Sequence, residues 1–410
     1  MKFNKWTVGL AAIGVVSLAS AARADEAKMN PVETAFSNTT ISGYVDVAAQ
    51  WNPGTDQGAF GGPNIPGYAF AKNDGFSLNA VDLALDKPMD ESPWAAGYHV
   101  ELMFGPDSVP AANNGFGGLS GNDGFGSVRQ AYVTLRTPVG NGITWKVGMF
   151  DTIIGYESSS DPLNPNYTRS YGYSIEPTSQ TGILATYKII DEVSVSAGVA
   201  NTWNADSTLA GVNNGTVYES QKTYMGTIAL TAPDSFGPLK GATLNLGVIS
   251  AVDSKTYGAG SKTSYYAGLT VPTPSNKVKV GMAFDYLNYY DQNNNTVLNA
   301  NHNDDSIWVA GLYLTVQPTD KLSLNFRGEL VDASGIGGAG NPNPLNGYYA
   351  GHYAEEVTAT VQYQLWANVL SRVEFRWDRV DSNAFGYVQP NSGAMKDNDF
   401  MLALNLIYQF

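Results

Sequence analysis

The sequence predicts an all-β protein, a transmembrane antiparallel up-and-down barrel of about 16 strands. Three observations carry that prediction. From residue 40 to the last residue, segments of about ten residues recur with apolar side chains at every second position. That is the period of a strand with one apolar face, not of a helix. The links between segments alternate between tight turns and long polar loops, as an outer-membrane barrel requires. After an N-terminal leader, no apolar run is long enough for a spanning helix.

In chain order, residues 1–24 read as a secretory signal peptide. Lys2 and Lys5 precede an apolar run, and Ala22-Arg23-Ala24 offers a small-x-small cleavage site before Asp25. Residues 25–39 form a short polar periplasmic lead. The barrel then occupies 40–410. Its strands are expected over 40–50, 76–86, 94–104, 127–137, 142–150, 180–188, 192–203, 221–231, 241–252, 261–271, 277–289, 306–317, 321–331, 353–365, 368–380 and 399–410. Eighteen strands remain an alternative if 60–75 or 332–350 hides a hairpin.

The first strand alternates Ile41, Val45 and Val47 with Ser42, Tyr44 and Asp46. Later strands sharpen the pattern. Leu322, Leu324, Phe326 and Leu330 stand opposite Ser323, Asn325, Arg327 and Glu329. Val373, Phe375 and Trp377 stand opposite Arg372, Glu374, Arg376 and Asp378. The last strand carries Leu402, Leu404, Leu406, Tyr408 and Phe410 on one face. Sixteen strands close into a barrel too wide for side chains to fill. The apolar faces are therefore expected to meet lipid, and the charged faces a watery lumen. Turns at 137–142, 189–192, 272–276, 317–321 and 365–368 draw on Gly, Pro, Asn and Asp. Long loops fall at 54–74, 204–220 and 332–352.

Composition excludes several functions. The chain has no Cys, so neither disulfides nor thiolate metal sites hold it together. Its net charge of −14, more acidic once Lys2, Lys5 and Arg23 are removed, argues against nucleic acid as a partner. Catalysis is not expected either. Only three histidines exist, His99 in a strand and His302 and His352 in or beside loops. Neither a GxSxG elbow nor an HExxH zinc pattern occurs. The polar stretches 291–296 and 301–306 read as solvated loops, so no metal and no cofactor is expected.

Segment 130–187 contains QAYV, a G-N-G turn, K-V-G-x-F-D-T, a G-Y-E step, and N-P-N-Y-T-R-S followed by T-G. In these it resembles the core motif of the OmpL-like β-barrel porin family. The terminal Phe410 after alternating apolar residues is similar to the C-terminal signature of bacterial outer-membrane barrels. That resemblance implies that Tyr408 and Phe410 signal to the barrel assembly machinery. It also implies passive diffusion of small hydrophilic solutes or ions across the outer membrane of a Gram-negative bacterium, with membrane lipid as surroundings. By analogy with general porins, a homotrimer is an expected assembly.

Residues 151–179 form a long link rich in Tyr156, Tyr167, Tyr171 and Tyr173, too aromatic for a disordered segment. General porins fold the loop at this position into the barrel. The same is expected here, with Asp151, Glu157, Asp161, Arg169 and Glu176 as candidate charges at a constriction. The expected lumen wall presents Asp46, His99, Glu101, Lys146, Asp285, Arg327, Glu329, Arg372, Glu374, Arg376 and Asp378. Its signs nearly balance, and acidic loops favour a weak cation preference. The alternative is a structural or adhesive barrel with a blocked lumen, which would share every strand signal.

Overall fold

The computed structural model describes residues 38–54, 74–108, 128–205, 222–251, 261–273, 277–290, 304–333, 353–381, 387–388 and 394–410. The leader, nearly all of the 25–39 lead, His302, His352, 291–296 and most of 60–75 and 332–350 lie outside the described residues.

Sixteen strands run in sequence order around one closed antiparallel sheet. They are β1 (Thr40–Trp51), β2 (Gly75–Lys87), β3 (Ala95–Phe104), β4 (Val128–Thr137), β5 (Ile143–Asp151), β6 (Ser179–Ile190), β7 (Val193–Ala200) and β8 (Thr223–Thr231). There follow β9 (Thr243–Ala251), β10 (Ser261–Pro272), β11 (Val278–Tyr290), β12 (Asp304–Val316), β13 (Leu322–Asp332), β14 (Tyr353–Trp366), β15 (Val369–Val380) and β16 (Asn398–Gln409). A closed ring has no edge to accept further strands, which decides the count against eighteen. A two-residue ribbon, Tyr387–Val388 with Met395–Lys396, stands apart from the barrel.

Closure joins the two ends of the barrel. β16 pairs with β1 from Tyr44 opposite Gln409 to Trp51 opposite Leu402. Gly43 and Phe410 exchange backbone hydrogen bonds at 3.0 and 3.1 Å. The Phe410 ring covers Gly43, where a Cβ would strike both that ring and the Asp82 carbonyl. Lipid tolerates no unpaired backbone group, so this seam must be complete.

The expected inversion of faces is present. Leu402, Leu404, Leu406 and Tyr408 point outward and are 40–50% exposed, while Met401, Ala403 and Ile407 between them are fully buried. Exposed aromatic residues gather at both rims, with Trp94, Phe236, Trp366, Tyr408 and Phe410 on the short-turn side. Phe76, Tyr224, Tyr265 and Tyr353 ring the long-loop side. Such girdles sit at the two membrane–water interfaces of outer-membrane barrels.

The inner wall departs from the expected uniform polar lining. From β13 through β15 it is charged, with Arg327, Glu329, Glu356, Arg372, Glu374, Arg376 and Asp378 all at most 3% exposed. From β6 through β12 it is largely apolar, including Leu184, Met225, Ile249, Tyr266, Ala283, Leu287, Ile307, Val309 and Tyr313. The reason is what covers it. Ile154, Tyr171 and Ile175, from the link between β5 and β6, pack into that same cluster.

Candidate functional site

Residues 152–178 leave β5, cross to the far wall and return to β6, with a 3-10 turn at Asp161–Leu163 and one short α-helix, α1 (Tyr171–Ile175), near the end. Two glycines let the segment lie flat on the apolar wall. A Cβ at Gly247 would meet Ile154, and one at Gly281 would meet the Tyr156 hydroxyl. Tyr156 stacks on Tyr313 with ring centroids 4.1 Å apart. Gly155 has φ +112°, and a Cβ there would also strike the Glu176 carboxylate. Backbone conformation and space therefore both require glycine at this turn.

On the charged wall, side chains of the strands grip the loop's backbone. Glu374 on β15 accepts from the N–H groups of Tyr167 and Thr168 at 2.5 and 2.9 Å. Glu329 on β13 accepts from Tyr171 and Gly172 at 2.7 and 3.2 Å. Three arginines donate in the other direction. Arg327 reaches Glu157 and the Thr168 carbonyl, both at 2.8 Å. Arg372 donates to the carbonyls of Asp161 and Asn164 at 3.1 and 2.5 Å. Arg376 donates to the Arg169 carbonyl at 2.7 Å while holding Asp378 through both carboxylate oxygens at 2.7 and 2.8 Å. Carboxylate–N–H and arginine–carbonyl bonds are charge-assisted and about twice as strong as neutral ones.

The constriction candidates separate into two groups. Glu157, Asp161, Arg169 and Glu176 are all buried. Arg169 pairs with Asp161 at 2.5 Å inside the loop, Glu157 pairs with Arg327, and Glu176 meets Asp285 of β11. Burial, reinforced by Asp285, Glu157 and Glu329, holds the Glu176 carboxyl well above its ordinary range. Asp151 stays on β5, its side chain 34% exposed, bridged to Arg129 at 2.5 Å.

The wall candidates divide as well. Asp285, Arg327, Glu329, Arg372, Glu374, Arg376 and Asp378 lie beneath the loop. Asp46 accepts from Asn79 and Asn405, both at 2.6 Å. Asn79 is the extra residue at a register shift between β1 and β2, where a bulge re-aims a side chain. His99 lies 3.2 Å from Asp86 and 3.4 Å from Glu101. It stacks on Tyr132, and the Lys146 ammonium sits 4.6 Å from that ring's centre. His99, Glu101, Tyr132 and Lys146 face a cavity of about 970 Å³ that opens among the short turns. The cavity is bounded by β1–β5, by parts of β6–β10 and by the first half of the loop.

Sequence reasoning missed Glu356 on β14, which binds Arg327 at 3.1 and 3.2 Å, and Arg129 on β4. Glu356 sits on the polar phase of its strand, the signal that could have found it, whereas Arg129 shares the phase of the outward Val133 and Leu135 and is buried only because β3 and β4 shift register at that residue. It also missed Gly247 and Gly281, whose role depends on the loop lying over them.

A family model described as "Putative beta-barrel porin-2, OmpL-like" matches residues 38–410. The chain belongs to this family. It is thus an outer-membrane β-barrel porin. No curated protein sequence matches it. Among solved structures the porin is similar to the outer-membrane channel DcaP of Acinetobacter baumannii, at 12% identity and TM-score 0.57, over 91% of this chain and 97% of that one. It is similar to the trimer form of OmpT of Vibrio cholerae, at 13% identity and TM-score 0.55, over 91% and 99%. The anion-selective porin of Comamonas acidovorans aligns at 9% identity and TM-score 0.55, again over 91% and 99%. At these identities the likeness shows the fold.

Proposed function

We propose that the porin forms a water-filled channel for passive diffusion of small hydrophilic solutes and ions, narrowed by the loop of residues 151–179. The observation that carries this reading is the set of bonds between that loop and β13–β15. Bonds from Glu329, Glu374, Arg327, Arg372 and Arg376 pin its backbone against one wall. Such a strap reduces the cross-section without plugging it, and the cavity beside it supports an unfilled remainder.

The cavity's charged lining includes Asp82, Asp86, Glu91, Glu101, Asp191 and Glu192 against Lys87, Arg136, Lys146 and Lys188. An acidic excess at close quarters favours cations, so the channel prefers cations weakly. The OmpT neighbour described in a trimer form supports a homotrimer, with assembly by the barrel machinery recognising the Tyr408–Phe410 end. Planar-bilayer recording of the purified protein across a salt gradient tests the channel. Stepwise, ohmic openings with a reversal potential of cationic sign are expected. Silence from a correctly folded barrel would favour a structural or adhesive barrel with a blocked lumen.

A further inference from the structure

Seven of the eleven wall residues expected to face the lumen lie beneath the loop, and the apolar wall of β6–β12 is largely sealed by Ile154, Tyr171 and Ile175. What stays open is the cavity along β2–β5. We infer that solutes cross this barrel eccentrically, through the space between the β2–β5 wall and the first half of the loop. Asp86, His99, Glu101, Lys146 and Asp151 set its selectivity there, and the arginines of β13 and β15 serve to hold the loop. The inference rests on the porin reading and adds the route and the residues that line it.

The two ionic sets differ in what they face. Arg327, Arg372 and Arg376 are at most 2% exposed, and each is bonded to the loop's backbone. A passing ion cannot reach their charge without displacing the loop. On the other wall, Asp86, His99 and Glu101 form a bonded row across β2 and β3. Gln130 continues it, donating to Glu101 at 2.6 Å and accepting from the Asp151 N–H at 3.0 Å. Lys146 stands over Tyr132 beside that row. All of these line the cavity. Asp86 and Asp151, with side chains 39% and 34% exposed, present their charge to the water there, while Glu101, 7% exposed, is bonded to His99 and Gln130.

The chain has no Cys, so single cysteines can report the route. Thr134→Cys on β4 and Ser158→Cys on the loop face the cavity from opposite sides. Thr360→Cys and Ser264→Cys lie on covered wall, at 2% and 3% exposure. Each variant is recorded in a planar bilayer while cationic and anionic methanethiosulfonate reagents are added, after its heat-shifted gel mobility shows a folded barrel. The expected result is a step down in current at Thr134→Cys and Ser158→Cys, several-fold faster with the cationic reagent, and no change at the covered pair. A conducting barrel unaffected at Thr134→Cys and Ser158→Cys overturns the route, as does equal block at the covered positions. Either outcome leaves the porin reading standing. A folded, unsubstituted barrel that passes no current overturns both.

Discussion

Arg327 is the residue on which most of the loop's attachment converges. It touches Glu157, Glu356 and the Thr168 carbonyl while fully buried. Replacing it with Met leaves two carboxylates buried without their cation, which costs about 3–5 kcal/mol in comparable buried pairs. A lower unfolding midpoint in detergent is the expected outcome. Adding Glu157→Gln and Glu356→Gln to the same chain recovers part of the loss, because the uncompensated charge is gone. Glu176 supplies a pH dependence. Its carboxyl is held above the ordinary value of 4.5, so the folded barrel binds that proton more tightly than the unfolded chain does. The stabilisation is full below about pH 4.5 and is lost as pH rises through the raised value. Thermal melts should therefore show Glu176→Gln narrowing the gap between acidic and neutral stability.

At the scale of elements, the strands were legible and the loop's partners were not. Leu402 to Phe410 alternate because lipid takes the place of a core, and every one of the sixteen strands repeats that constraint in its own sequence. Tyr167 and Glu374 carry no such local mark. They lie 207 residues apart and meet only because the barrel closes. The apolar half of the inner wall was hidden for a related reason. Gly281 and Ala283 occupy the inward phase of β11, and small residues there say nothing of the Tyr156 ring that lies across them. Strand ends moved little. β7 stops at Ala200, short of the expected 203, because Trp203 turns inward to donate to Ser264 at 3.0 Å. The closing seam yields a prediction at this scale. Phe410→Ser removes the ring over Gly43 and the outward apolar end of β16. It should lower the yield of heat-modifiable, membrane-inserted barrel, while Gln409→Asn, a neighbouring change on the opposite phase, should not.

In the whole molecule, a lipid-facing barrel carries an internal strap held on one side. The strap's attachments are polar on β13–β15 and apolar on β6–β12. It therefore leaves a cavity along β2–β5 that opens among the short turns. Trimeric association predicts three chains per particle when detergent-extracted protein is sized by light scattering, and a single chain per particle would contradict it. The weak cation preference predicts a reversal potential that shrinks as salt is raised, since surface charge is screened over about 8–10 Å at physiological ionic strength. The most direct test of the central claim compares single-channel conductance of the intact protein with that of a chain lacking residues 156–175. The account predicts a clearly larger conductance in the deletion. Equal conductance from two folded barrels would contradict it.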